Sequence, residues 1–181
     1  MRHLVIVIDW YGPYTFEQAV DAVKNDGFAD GLYLCLGKIK GQHGCSRLQY
    51  VGIACNDLST RIKNGHHKID LVARDRTIWL GEVSSLGVPG IKTKKTTPTL
   101  DFSEWALVYF LQPPLNEKKK YTPPPRPVSV LNRWWRKDYE TPWIKRPHPE
   151  LPEFIDYLGP DYKAKVVWFK SPKRVEVNPK T

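Results

Sequence analysis

Two short strand signals in mirror order, Gly31-Leu32-Tyr33 and Tyr50-Val51-Gly52, constrain this chain more than any other feature. Each sits in an apolar run rich in β-forming residues, 32–36 and 48–54, and turn residues lie between the runs. That pattern predicts two antiparallel strands. The connection, residues 37–47, holds three glycines, two lysines, an arginine and a histidine. Its basic side chains Lys38, Lys40 and Arg47 are candidates for contacting a polyanion, and a solvated hairpin loop is the plainer reading.

Around this pair the other elements can be read in order. Residues 4–8 are a β-branched run that predicts a buried strand, followed by a turn at Tyr11-Gly12-Pro13. Thr15 and Gln18 form a capping box, and Phe16, Ala19, Val20 and Val23 recur on one helical face, so residues 15–25 should be a helix stopped by Gly27. Asn56 or Asp57 is placed to cap a second helix carrying Leu58 and Ile62 on one side, Arg61 beside them and Gly65 at its end. Residues 78–83 predict a third strand. Gly87, Pro89, Gly90 and Pro98 make residues 84–99 a long loop, and it carries Lys92, Lys94 and Lys95. Residues 101–112 are apolar nearly all round, which predicts a buried helix. Four prolines within residues 121–127 then mark the edge of a core at 1–121, with an extension at 122–181 that ends in a hairpin over 164–169 and 174–177.

The net charge is +9, so an acidic partner is expected. Nucleic acid fits, because basic side chains that neutralise phosphates release condensed counterions. Residues 1–121 carry net +4 and residues 122–181 net +5, so the extension is the more basic part per residue. There Trp134, Trp135, Trp143 and Trp168 alternate with Arg133, Arg136, Lys137, Lys145 and Arg146, a mixture suited to phosphates and base stacking. The same tryptophans could equally anchor the extension to the core. No apolar stretch reaches the roughly 20 residues of a bilayer span, and Asp9 closes the amino-terminal apolar run where a signal peptide would need small residues. Cytoplasmic location is the expectation. Cys35, Cys45 and Cys55 are an odd set without a Cys-x-x-Cys pair, which argues against a secreted disulfide framework, and their spacing with His43 matches no common zinc pattern.

Several polar residues in this order have complementary chemistry. Hydrolysis of a phosphodiester needs a water activated, charge on the phosphoryl oxygens compensated and a leaving oxygen stabilised. Glu104 offers one carboxylate for magnesium, or manganese, an ion that keeps several of its own waters. Arg61 offers a permanently charged planar fork for the scissile phosphate. Tyr33 and Tyr50 can activate water only if nearby positive charge lowers phenol pKa values that are ordinarily near roughly 10, and Tyr33 is the preferred one of the two. Plainer readings exist: Glu104 closing a cap with Asp101, ordinary sheet tyrosines, a solvated helix arginine.

The ordered set of Gly31-Leu32-Tyr33, Tyr50-Val51-Gly52, Arg61, Glu104 and Pro114-Leu115-Asn116 resembles the active-site pattern of GIY-YIG nucleases. The likeness covers about half of the chain. It implies that the tyrosines activate or position the nucleophile, that His66 or His67, slightly farther from the arginine than usual, assists, and that Asn116 lies near the site. The fold class expected is α/β (α+β), with a small, mainly antiparallel sheet flanked by helices and extended at both ends. The function expected is a magnesium-dependent DNA endonuclease. The alternatives are a catalytically silent nucleic-acid-binding module or subunit, and a nuclease that uses the same site on RNA.

Overall fold

The computed structural model describes residues 3–28, 30–63, 68–84, 97–168 and 174–177. One eight-stranded mixed sheet dominates it. Its strands are β1 (Leu4–Tyr14), β2 (Gly31–Ile39), β3 (Arg47–Ala54), β4 (Val72–Val83), β5 (Val128–Trp135), β6 (Phe154–Tyr157), β7 (Ala164–Val167) and β8 (Arg174–Val177), joined in the order β3-β2-β4-β1-β5-β6-β7-β8. The described residues contain two α-helices, α1 (Phe16–Asn25) and α2 (Thr97–Leu111). The expected small sheet flanked by helices is therefore wrong: the sheet is the body of the molecule. Both presumed extensions belong to it, because β1 pairs antiparallel with β4 on one side and parallel with β5 on the other.

Three local corrections have physical causes. The expected turn at Tyr11-Gly12-Pro13 is an irregularity inside β1, where the pairing register with β4 shifts. Glycine is needed there because a Cβ on Gly12 would lie 2.8 Å from the Trp79 ring. The expected helix after Asp57 is a single 3-10 turn at Leu58–Thr60. Asp57 accepts bonds from the Ser59 amide and hydroxyl at 2.8 and 2.5 Å, and its carbonyl accepts from the Thr60 hydroxyl at 2.8 Å. Such local bonds compete with helical ones. The third strand begins six residues earlier than its apolar run, at Val72. By contrast α1 carries the capping box as read, with Thr15 accepting from the Gln18 amide.

Strand alternation sends successive side chains to opposite faces. Leu32, Leu34 and Leu36 join Ile6, Ile8, Trp10, Trp79 and the apolar residues of α2 in one cluster. Tyr33 and Cys35 join Ile78, Leu80 and the buried face of α1 in the other. Residues from the extension complete the first cluster. Trp134 stacks on Trp10 with centroids 5.8 Å apart and meets Trp79 edge-on at 5.4 Å, while the Trp10 indole donates to Asn132 at 2.8 Å. Trp134 and Trp143 are thus anchors, Trp143 donating its indole N–H to the Gly12 carbonyl at 3.2 Å. No helix among the described residues is long and apolar enough to cross a membrane.

Candidate active site

The mirror motif has a steric cause. In the β2–β3 ladder Tyr33 lies opposite Gly52 and Cys35 opposite Tyr50, so the two tyrosines are diagonal neighbours, with ring centroids 5.8 Å apart. A Cβ built on Gly52 would stand 2.6 Å from the Tyr33 phenol oxygen and 2.8 Å from the Tyr50 ring. The Tyr33 ring therefore lies across the bare backbone of Gly52. On the other strand, Gly31 passes so close to β4 that a Cβ would lie 2.5 Å from the Gly81 carbonyl. Gly52→Ala is expected to destabilise the fold by about 1–3 kcal/mol by overpacking and to displace the phenol pair. Denaturant unfolding together with near-ultraviolet circular dichroism checks this; unchanged stability and tyrosine signal would refute the steric account.

Tyr33 is 1% exposed and shares a hydroxyl hydrogen bond with Tyr50, which is half-buried and lines a cleft. Burial pushes both phenol pKa values up. The positive charge of Arg61 opposes that rise at each ring and the negative charge of Glu104 adds to it. Two things follow. Arg61 and Glu104 act on both phenols although the four residues come from β2, β3, the cap of the 3-10 turn and α2. Desolvation also outweighs Arg61, so the protein alone does not lower a phenol to near neutrality, and Tyr50, rather than the more buried Tyr33, is the one that faces the cleft.

The cleft, of about 370 Å³, is lined by Tyr50, Lys68, Asp101, Glu104, Asn116 and Lys119, with the exposed Lys118 at its rim. Asp101 and Glu104 lie inside α2, not at its cap, which removes the capping explanation for Glu104. Both carboxylates accept from the Lys119 ammonium, at 2.6 and 2.5 Å. Burial works against the charge on Lys119, and these bonds overcome it, so its pKa is raised. Lys68 pairs with Glu117. Asn116 is spent on structure: its side-chain oxygen accepts from the Val51 amide at 2.9 Å and its amide group donates to the Val51 carbonyl at 2.7 Å. It thereby closes the outer edge of β3, an edge that would otherwise present unpaired groups. Arg61 is exposed.

The remaining predicted contacts are scattered. His66, His67, Lys92, Lys94 and Lys95 lie outside the described residues. Lys38 pairs with Asp75 at 2.8 Å and Arg47 with Glu150 at 2.9 Å. Arg133 grips the buried Asp9 through two nitrogens, at 2.6 and 2.5 Å, and Trp135 donates to the same carboxylate at 2.7 Å. Burial raises the Asp9 pKa, and the bonds from Arg133, Ser84 and Trp135 outweigh it, leaving the carboxyl below its ordinary value. Arg136 covers the Trp143 ring and Lys137 donates to Gln18 at 3.1 Å, while Lys40 is exposed at the hairpin tip. Arg133 sits on β5, four strand steps from β3. At about 4.8 Å per step that is roughly 19 Å along the sheet, so it is not part of the cleft. Sequence reasoning missed Lys68, Asp101 and Lys119; the run Lys118-Lys119-Lys120 directly after Asn116-Glu117 was the available signal.

The donor set suits a hard divalent ion. Glu104 and Asp101 present oxygen atoms alone, and the Lys119 ammonium between them stands where a cation would. Among the described residues no three His, Cys, Asp or Glu side chains converge, so such an ion would rest on one or two carboxylates and its own waters. Comparison of the chain with protein-family models, with curated proteins and with solved structures gives no match.

Proposed function

We propose that this chain is a magnesium- or manganese-dependent endonuclease of GIY-YIG type that hydrolyses DNA phosphodiester bonds in the cytoplasm. The observation that carries the reading is a lysine-edged cleft that Tyr50 and Glu104 line from separate elements, with the Tyr33 hydroxyl bonded to Tyr50 and the Arg61 charge acting on both phenols. Arg61, permanently charged and open to solvent, pairs its fork with two oxygens of the scissile phosphate. Lys68 and Lys118 draw the neighbouring backbone into the cleft. Tyr50, hydrogen-bonded to Tyr33 and facing the cleft, holds the attacking water in line. Glu104 and Asp101 would hold the divalent ion, which when bound supplies charge compensation and makes water easier to deprotonate.

A second reading, a nucleic-acid-binding module without turnover, draws on one observation: Lys119 already neutralises Glu104. Incubating the purified protein with supercoiled plasmid discriminates the two. The nuclease reading expects nicked and linear products with magnesium and none with excess chelator. A shift in plasmid mobility with no cut strand in any divalent ion would reject it, and undiminished cutting in chelator would reject the metal dependence. The same assay on double-stranded, branched and single-stranded DNA and on RNA identifies the substrate.

A further inference from the structure

Lys119 is held in place more firmly than a solvated lysine requires. Its backbone adopts φ 65°, a left-handed conformation that costs a non-glycine residue on the order of 1 kcal/mol. Its side chain is only 18% exposed, lies 5.7 Å from the Trp105 ring centroid, and donates to Asp101 and Glu104, residues on one face of α2. The chain on both sides is pinned. Leu115 donates to the Gln49 carbonyl at 3.0 Å, Asn116 holds Val51, the Gln112 amide reaches the Lys120 carbonyl at 2.8 Å, and Trp105 donates to the Thr122 carbonyl at 2.8 Å. The ammonium is thus delivered to the carboxylates by a rigid segment, and the flexible part is the four-carbon stem alone.

We infer that Lys119 is a built-in competitor for the divalent ion: its ammonium occupies the Glu104 and Asp101 oxygens, and the ion binds only when the side chain swings away. The ammonium holds one oxygen of each carboxylate, the two oxygens nearest a shared ion, and like charges held a few ångströms apart in a half-buried site repel strongly. Lys119 therefore offsets one of the two carboxylate charges and keeps the pair pre-shaped while lowering the affinity for metal. This inference rests on the reading that Glu104 is the metal carboxylate.

The test measures Mn²⁺ binding to the full chain by electron paramagnetic resonance, without nucleic acid, for the wild type, Lys119→Met and Lys119→Gly. Met keeps the stem against Trp105, and Gly suits the left-handed backbone and reaches neither carboxylate. Mn²⁺ is expected to bind about tenfold more tightly to both variants, and the gain is expected to vanish when Glu104→Gln is added. Unchanged or weaker binding in a folded variant would overturn the inference, and so would unfolding of both, which would make Lys119 a structural clamp. The outcome is separable from the nuclease reading: a Glu104-dependent gain in a protein that never cuts DNA would sink the nuclease, while cutting with no change in Mn²⁺ affinity would sink only the competition.

Discussion

Arg61→Ala is expected to slow DNA cleavage by about 10³-fold at saturating substrate, the effect of removing one preorganised group that binds transition-state charge. Its exposed side chain belongs to neither apolar cluster, so thermal stability should change by less than about 0.5 kcal/mol. DNA affinity should fall only slightly, because Lys68 and Lys118 still edge the cleft. Arg61→Lys should recover little, since a point-like ammonium cannot grip two phosphate oxygens at once. Single-turnover rates and unfolding curves on the same preparations check all three statements. Near-normal turnover in Arg61→Ala would remove the arginine from the site.

Deleting residues 128–181 is expected to abolish folding. The charge density of this stretch predicts a removable DNA grip whose loss weakens affinity and flattens its salt dependence, but the sheet gives it a different role. β1 would lose its parallel partner along eight residue pairs, from Leu4 with Val128 to Tyr11 with Trp135. Val128, Val130, Trp134 and Ile155, each buried in the cluster that holds Trp10 and Trp79, would go with it. Losing one such side chain costs roughly 2–5 kcal/mol, and a domain's whole stability is only about 5–15 kcal/mol. Trp134→Ala alone should cost about 3–5 kcal/mol. Solubility, far-ultraviolet circular dichroism and urea unfolding measure both variants. A truncated chain with native-like cooperative unfolding would contradict this account of the sheet.

Local signals divide: the helix expected after Asp57 gives way to a 3-10 turn because Asp57 bonds its own neighbours, while two others hold. The capping box at Thr15 and Gln18 is a three-residue signal, and the mirror strands meet across a short hairpin with Tyr33 opposite Gly52. The larger differences depend on distant partners. Nothing near Leu4 or Val128 announces their parallel pairing, and the Arg133 charge reads as free until Asp9, 124 positions away, is seen beneath it. In the proposed site, Tyr33, Tyr50, Arg61 and Glu104 stand out in the sequence because their residue types and order are unusual together. The role of Asn116 was not legible, because the sequence does not show that the edge of β3 needs its side chain. Nor was Lys119, since a lysine run ordinarily faces water and this one turns inward only where Asn116 pins the chain. The direction of the phenol shifts was hidden for a related reason: the desolvation that outweighs Arg61 at Tyr33 comes from core packing.

The central claim is that these side chains form one hydrolytic centre, and a side-by-side plasmid assay of the wild type and Glu104→Gln in magnesium tests it most directly. The substitution keeps the shape of the side chain and removes the charge that holds a cation. The wild type should convert supercoiled plasmid to nicked and linear forms, while Glu104→Gln shifts the plasmid's mobility and leaves both strands intact. Equal cleavage by the two proteins, or intact plasmid with both, would contradict the claim.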